Sequence, residues 1–316
     1  MTAATAVRPV IVAPADLPRD EWLAARRRGI GGSDLAAILG MDPRRSPLGV
    51  YYDKLGQLPD ENVGEAAEWG VLLEDVVARQ FGRKTGLDVR PSPGILGHPD
   101  RPWQIANVDR LVAPEPDAEP DALLEVKTAS AFLDDQWDRD GDPEQVPDRA
   151  ALQVHHYLGV TGFDRAHVAV LIGGQRYRSY LVRRDDELIE HLTSIEAEFW
   201  DRVLRRRPPP ADGSKATTEL LGHLYDVQPD LVRVLDAAEV EPLLEVRAVA
   251  KAAEKAAKQH ADEAENVIKT LLGEAEVGVV DGRPVVTWKT YERVAYTVAP
   301  STHRRFNVKK RESNGR

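Results

Sequence analysis

The chain is 316 residues long, enough for one elaborated domain or a domain with an appendage, and it has no cysteine, which excludes disulfides, thiolate zinc sites and iron–sulfur clusters. Its formal net charge is −10, which argues against a nucleic-acid partner unless arginines are concentrated in one groove, because phosphates are contacted by local cations and not by the average. No apolar run approaches the roughly 18 residues of a membrane span, and the opening Met-Thr-Ala-Ala-Thr-Ala lacks a signal-peptide pattern, so a cytoplasmic protein with no membrane partner is expected.

Residues 20–28 read as a short helix ending near Gly29, with Arg26, Arg27 and Arg28 clustered at its end. Ser33 or Asp34 then caps a helix over 35–39. A helix start preceded by Gly31-Gly32 lets the backbone approach an anion, Ser33 and the free amides donate to it, and an arginine one or two turns earlier adds charge. A capped helix with a solvated arginine cluster is the plainer alternative. Residues 46–56 give a short packing helix with glycine at its end. A long amphipathic helix follows over 68–84, with Leu72, Val76, Val77 and Phe81 at helical spacing and Gly86 as its stop. Glu74 lies in its first turns, among other acidic residues.

Residues 105–112 and 122–127 read as strands on either side of the Pro-rich stretch 114–120. Alternation along Ala-Leu-Leu-Glu-Val-Lys puts Glu125 and Lys127 on one face and Leu124 and Val126 on the other. A hairpin between the two strands brings Asp109 beside Glu125, so two carboxylates converge with a lysine. Hard divalent cations take oxygen ligands and keep several waters, so Asp109, Glu125 and the Val126 carbonyl make a partial octahedron. Water on such a cation deprotonates more readily, and Lys127 orients it or neutralises charge on a phosphate under attack. This is phosphodiester hydrolysis chemistry. Taken alone, Asp…Glu-x-Lys in a chain with 30% charged residues reads more simply as a surface ion pair on a strand edge.

An acidic loop with a short helical piece over 132–148 is placed to gate such a site. Helix 149–158 carries Gln153, His156 and Tyr157 on one face. His155 and His156 are adjacent and point in different directions on a helix, which favours packing or DNA contact over zinc binding. Residues 166–172 and 177–182 form a hairpin through Gly173-Gly174-Gln175-Arg176 that extends the sheet. Helix 185–204 covers a sheet face with Leu188, Leu192, Ile195 and Phe199. The run Arg205-Arg206-Arg207-Pro208-Pro209-Pro210 sets a domain boundary, giving 1–207 and 208–316.

Beyond it, short helices are expected over 219–225 and 231–238, and a long one over 241–272. The long helix has a seam of Val246, Ala250, Ala253, Ala257, His260, Ala264, Val267 and Leu271 that suits an intramolecular hairpin or a subunit contact. A β-hairpin over 276–298 turns at Asp281-Gly282. The basic tail 303–311 is an interaction arm, with DNA contact by Arg304, Arg305, Lys309, Lys310 and Arg311 as the alternative.

Four blocks occur in order: Trp22-Leu-Ala-Ala-Arg-Arg-Arg-Gly-Ile-Gly-Gly-Ser-Asp34, Trp69-Gly-Val-Leu-Leu-Glu74, the Asp109/Glu125/Lys127 set, and Leu152-Gln-Val-His-His-Tyr-Leu-Gly-Val-Thr-Gly162. Together they resemble the YqaJ-like viral recombinases, relatives of lambda exonuclease in the PD-(D/E)XK nuclease superfamily, over about residues 20–205. Two departures are the long acidic loop between Asp109 and Glu125, and Ala150-Ala151 where relatives often carry an aromatic residue. The resemblance implies an α/β fold with a restriction-endonuclease-like core, a central mixed sheet flanked by helices, to which the residues beyond it add the C-terminal helical and β-hairpin appendage read above. It implies a Mg²⁺-dependent 5′-to-3′ exonuclease on double-stranded DNA ends, with Mn²⁺ as a substitute ion, acting in phage-type recombination with a single-strand annealing protein. In that reading Asp109, Glu125, the Val126 carbonyl and Glu74 approach the metal, and Lys127 and Gln153 position the nucleophile. Arg26 and Ser33 take the terminal 5′-phosphate, and a homotrimeric ring threads the duplex. An endonuclease on the same core and a non-catalytic DNA-binding or assembly protein remain as alternatives.

Overall fold

The computed structural model describes residues 7–58, 64–137, 146–225, 228, 231–295 and 306–308. Contacts divide the chain into a unit ending at Tyr225 and a second beginning at Asp226. The first runs β1 (Val10–Pro14), α1 (Arg19–Arg26), α2 (Gly32–Ile38), α3 (Pro47–Lys54), α4 (Glu65–Thr85), β2 (Asp88–Pro91), β3 (Gly94–Gly97), β4 (Ile105–Ala106), β5 (Arg110–Ala113), β6 (Ala122–Ala129), a 3₁₀ segment (Ala131–Trp137), α5 (Asp148–Thr161), β7 (Arg165–Ile172), β8 (Arg176–Arg183), α6 (Asp186–Leu204) and α7 (Lys215–Leu224).

Five strands in the order β2-β5-β6-β7-β8 make the central sheet; β6 and β7 run parallel and the other pairs antiparallel. The alternation read in β6 is realised. Leu123 packs with Val154 and Leu158 of α5 on one face, while Ala122, Leu124 and Val126 pack with Val77, Ala78 and Phe81 of α4 on the other. Both faces are therefore covered, giving the expected mixed sheet flanked by helices. A smaller sheet, β1-β3-β4, lies apart from it in hydrogen bonding.

The single strand expected over 105–112 is two strands in two sheets. β4 pairs with β3, β5 pairs with β2 and β6, and Asn107, Val108 and Asp109 carry the chain from one ladder to the other. The face of α4 also differs from expectation. Leu72 and Val76 are 65% and 48% exposed, because its buried apolar contact begins at Val77. In α6 the buried positions are Ile189, Leu192, Glu196, Phe199 and Val203, so the stripe passes beside Leu188 and Ile195. The cap of α2 is Gly31 instead of Ser33 or Asp34. The helix starts three residues earlier than expected, at Gly32, and Asp34 in its first turn accepts from the Gly31 N–H at 3.0 Å. α7 packs on α3, so the first unit continues past residue 207 to Tyr225.

The second unit contains α8 (Ala237–Leu272), β9 (Val277–Val280) and β10 (Arg283–Thr287). Asp281 and Gly282 both have positive φ, 48° and 76°, as a two-residue hairpin turn requires. The strands end at Thr287, short of the expected 298. Residues 231–236 are not helical, so the helix expected over 231–238 is absent apart from the start of α8. α8 buries none of its residues, and its seam positions Val246, Val267 and Leu271 are all exposed. Arg304, Arg305, Lys309, Lys310 and Arg311, like residues 138–145 of the acidic loop expected over 132–148, lie outside the described residues. Among the described residues, no helix is long and apolar enough to cross a membrane.

Candidate active site

The site is built where β5, β6 and α5 meet. Arg110 of β5 is in register with Leu124 of β6, which sets Asp109 beside Glu125. The Val126 N–H donates to Asp109 Oδ2 at 2.7 Å, fixing the aspartate against the strand that carries the glutamate. Glu125 is buried, on the face of β6 turned to α5. Its Oε1 accepts from Lys127 Nζ at 2.6 Å and from Gln153 Nε2 at 2.7 Å, while Lys127 Nζ also donates to Gln153 Oε1 at 2.8 Å. The Gln153 amide is oriented in turn: its Nε2 donates to the Tyr157 hydroxyl at 3.0 Å, and that hydroxyl donates to the Asn107 carbonyl at 2.9 Å.

The electrostatics of this arrangement are costly. Burial, reinforced by the neighbouring Glu125 carboxylate, pushes the Asp109 carboxyl well above the usual carboxylate range. Burial also raises Glu125, against the opposing ammonium of Lys127. Glu125 Oε2 is buried and has no hydrogen-bond partner among the described residues. An unfilled buried acceptor beside a second carboxylate is what a cation relieves, so the donor set fits a hard divalent ion that takes one or two carboxylates and keeps its waters. Glu74 is near enough for its charge to act on both Asp109 and Glu125. It comes from α4, and its Oε1 accepts from Arg110 Nη1 at 2.5 Å, so it is held by an arginine. Accordingly, no group of three or more His, Cys, Asp or Glu residues is set to hold a metal among the described residues.

A cavity of about 160 Å³ joins this centre to the other motif, with Arg26, Ser33, Lys54, Asp109, Gln153 and Tyr157 in its wall. Arg26 Nη2 donates to Ser33 Oγ at 3.1 Å, and its guanidinium lies 4.8 Å over the Trp22 ring. The two halves meet because α2 packs unusually close to α5. A Cβ on Gly32 comes within 2.8 Å of the Tyr157 ring and 2.9 Å of the Gln153 backbone oxygen. Gly32 thus serves helix packing, whereas the sequence suggested room for an anion. His156 does not share the site with Gln153 and Tyr157. It is buried, bonded through Nδ1 to Glu196 and through Nε2 to the Ile105 carbonyl, both at 2.8 Å. Burial alone depresses an imidazole; here the Glu196 carboxylate outweighs it and His156 is raised. His155 is buried as well, bonded to the Ala151 carbonyl, so both histidines are packing residues.

Three contributors escaped the sequence reading. Tyr157 lies on the expected face, but the bond of its hydroxyl to the Asn107 carbonyl has no local signal, and neither does the pairing of Arg110 with Glu74 across 36 positions. Lys54, on a helix assigned to packing, gave none.

A family model described as the YqaJ-like viral recombinase domain matches residues 21–164. The chain is 39% identical over 285 residues to an uncharacterized protein, YqaJ, of Bacillus subtilis (strain 168), covering 89% of this chain and 86% of that one. A shorter match, 43% identical over 58 residues, covers 18% of this chain and 16% of protein D345L of African swine fever virus. Among solved structures, an alkaline exonuclease (LHK-Exo) from Laribacter hongkongensis superposes with a TM-score of 0.49 at 20% identity, over 60% of this chain and 94% of that one. The match along nearly the whole length of YqaJ, and a family model that spans the Arg26, Asp109, Glu125 and Gln153 blocks in order, place this chain in the YqaJ-like viral recombinase family.

Proposed function

We propose that this protein is a Mg²⁺-dependent deoxyribonuclease that degrades linear double-stranded DNA from its 5′ ends, in recombination alongside a single-strand annealing protein. The observation that carries this reading is the buried Glu125, shared by Lys127 and Gln153 on one oxygen and left open on the other, beside Asp109. Asp109 and Glu125 would hold the cation, with Mn²⁺ as a substitute, and when bound it would supply Lewis acidity and lower the pKa of water. Lys127 neutralises charge that develops on the scissile phosphate, and Gln153 keeps the ammonium in place through its 2.8 Å hydrogen bond. Arg26 and Ser33, on the same cavity, take the terminal phosphate of the strand being shortened. Glu74 tunes the centre through its charge, which raises both Asp109 and Glu125, and it keeps Arg110 paired.

The test is a linear duplex labelled at either the 5′ or the 3′ end, incubated with and without Mg²⁺ beside a covalently closed circle. Expected are loss of the 5′ label as mononucleotide, dependence on Mg²⁺, and a resistant circle. Glu125→Gln is expected to abolish turnover and to leave duplex binding measurable. Cutting of the circle replaces the exonuclease with an endonuclease, and full turnover by Glu125→Gln removes the site.

A further inference from the structure

Beneath the cavity lies a buried ion pair that the reaction does not itself use. Asp34 is fully buried, and the Lys54 side chain is 2% exposed. Lys54 Nζ lies 2.7 Å from Asp34 Oδ2 and donates to the Arg26 carbonyl at 3.2 Å. The same Asp34 oxygen accepts from the Gly31 N–H at 3.0 Å, and Oδ1 accepts from Arg45 Nη1 at 3.0 Å. Burial alone raises a carboxyl; Lys54, Arg45 and Arg26 outweigh it and hold Asp34 well below the usual carboxylate range.

The connectivity matters more than the pairing. The end of α1 presents Arg26 and the start of α2 presents Ser33; the loop between them is tied at its middle, where the buried Ile30 bonds the Trp103 and Ile105 backbone, and its two ends are held separately. Lys54 holds the first by its backbone carbonyl, and Asp34 holds the second through Gly31. We propose that Lys54, acting through Asp34, is the positioning residue that sets Arg26 against Ser33 and thereby confers selectivity for a terminal phosphate on the DNA end. This rests on the reading of the cavity as the place where that end is held. The Arg26 carbonyl belongs to the last turn of α1 and lacks an intrahelical donor, so the Lys54 bond fixes the end of the helix that carries the Arg26 side chain; the 5′-phosphate ratio below separates this positioning from a purely stabilising role.

The experiment measures, on full-length protein, the ratio of cleavage rates for 5′-phosphorylated and 5′-hydroxyl duplexes, because loss of folded protein cancels in a ratio. Lys54→Met leaves Asp34 paired with Arg45 and is expected to lower the ratio about tenfold, the effect of losing one charge-assisted hydrogen bond. In an Arg26→Ala background the same substitution is expected to change the ratio by less than about twofold, because coupled residues are not additive. An unchanged ratio in Lys54→Met, or an equal loss in both backgrounds, overturns the proposal. Where Lys54→Met does not fold, Lys54→Gln carries the same measurement, and a wild-type ratio there overturns it too. A wild-type ratio of one, unaffected by Arg26→Ala, instead removes the end pocket itself, and the proposal falls with it.

Discussion

Asp109 and Glu125 hold their carboxyls above the ordinary range, so in the metal-free protein each is a group whose ionisation opposes folding. A raised folded-state pKa means that the favourable contribution is present below the unfolded value and is lost as pH rises through the folded one. At neutral pH without metal the pair is therefore a net cost. Asp109→Asn removes the charge and keeps an oxygen able to accept the Val126 N–H. It is expected to raise the melting temperature of the metal-free protein by a few degrees, since about 1 kcal/mol moves a domain of this size about 2–4 °C, and to eliminate turnover. Calorimetry in the presence of chelator checks it; an unchanged or lower melting temperature contradicts the electrostatic account of the centre.

At the scale of elements, α4 is fastened to the central sheet through Val77, Ala78 and Phe81, and Phe81 lies 5.0 Å from the His167 ring on β7. Burial, with Arg165 nearby, pushes His167 down to about 4. A depressed histidine folds neutral, so its contribution is present above the unfolded value of 6.5 and is lost as pH falls from there towards about 4. His167→Phe is expected to flatten that part of the stability–pH curve relative to wild type, measured by circular-dichroism melts; parallel curves for the two proteins remove the assignment. The elements themselves were largely legible. The alternation in β6 announced both Glu125 and the two packed faces, because a strand has one period and both faces here are filled. The split of the 105–112 strand was not legible. Its hydrophobic pattern continues through Val108, and only the pairing of β4 with β3 and of β5 with β6 reveals that two ladders are involved. For the same reason Leu72 and Val76 read as core: helical spacing shows which residues share a face, whereas how far the covering sheet extends is a tertiary fact. Asp34 read as a cap and proved to be the anchor of Lys54, a pairing across 20 positions that no local pattern carries.

For the whole molecule the central physical problem is a net charge of −10 on a protein that we propose acts on DNA. Long-range repulsion has to be overcome locally, and enclosing the duplex does so: a channel lined by arginines focuses positive potential while an acidic rim discourages adsorption elsewhere. Closed rotational symmetry provides such an enclosure from identical chains. The number three is what the family resemblance implies, and we propose such a ring, with light scattering at micromolar concentration giving about three times the 35.0 kDa of one chain. The exposed seam of α8, with Ala250, Ala257 and Ala264 spaced by seven residues, offers further surface for contacts between copies. Enclosure also has a kinetic consequence, since a duplex that is threaded cannot leave between cleavage events. A chase with excess unlabelled duplex is then expected to leave ongoing digestion almost unaffected. A mass near 35.0 kDa, together with a chase that stops digestion at once, removes the ring and requires that the charge problem be solved on the surface of a single chain.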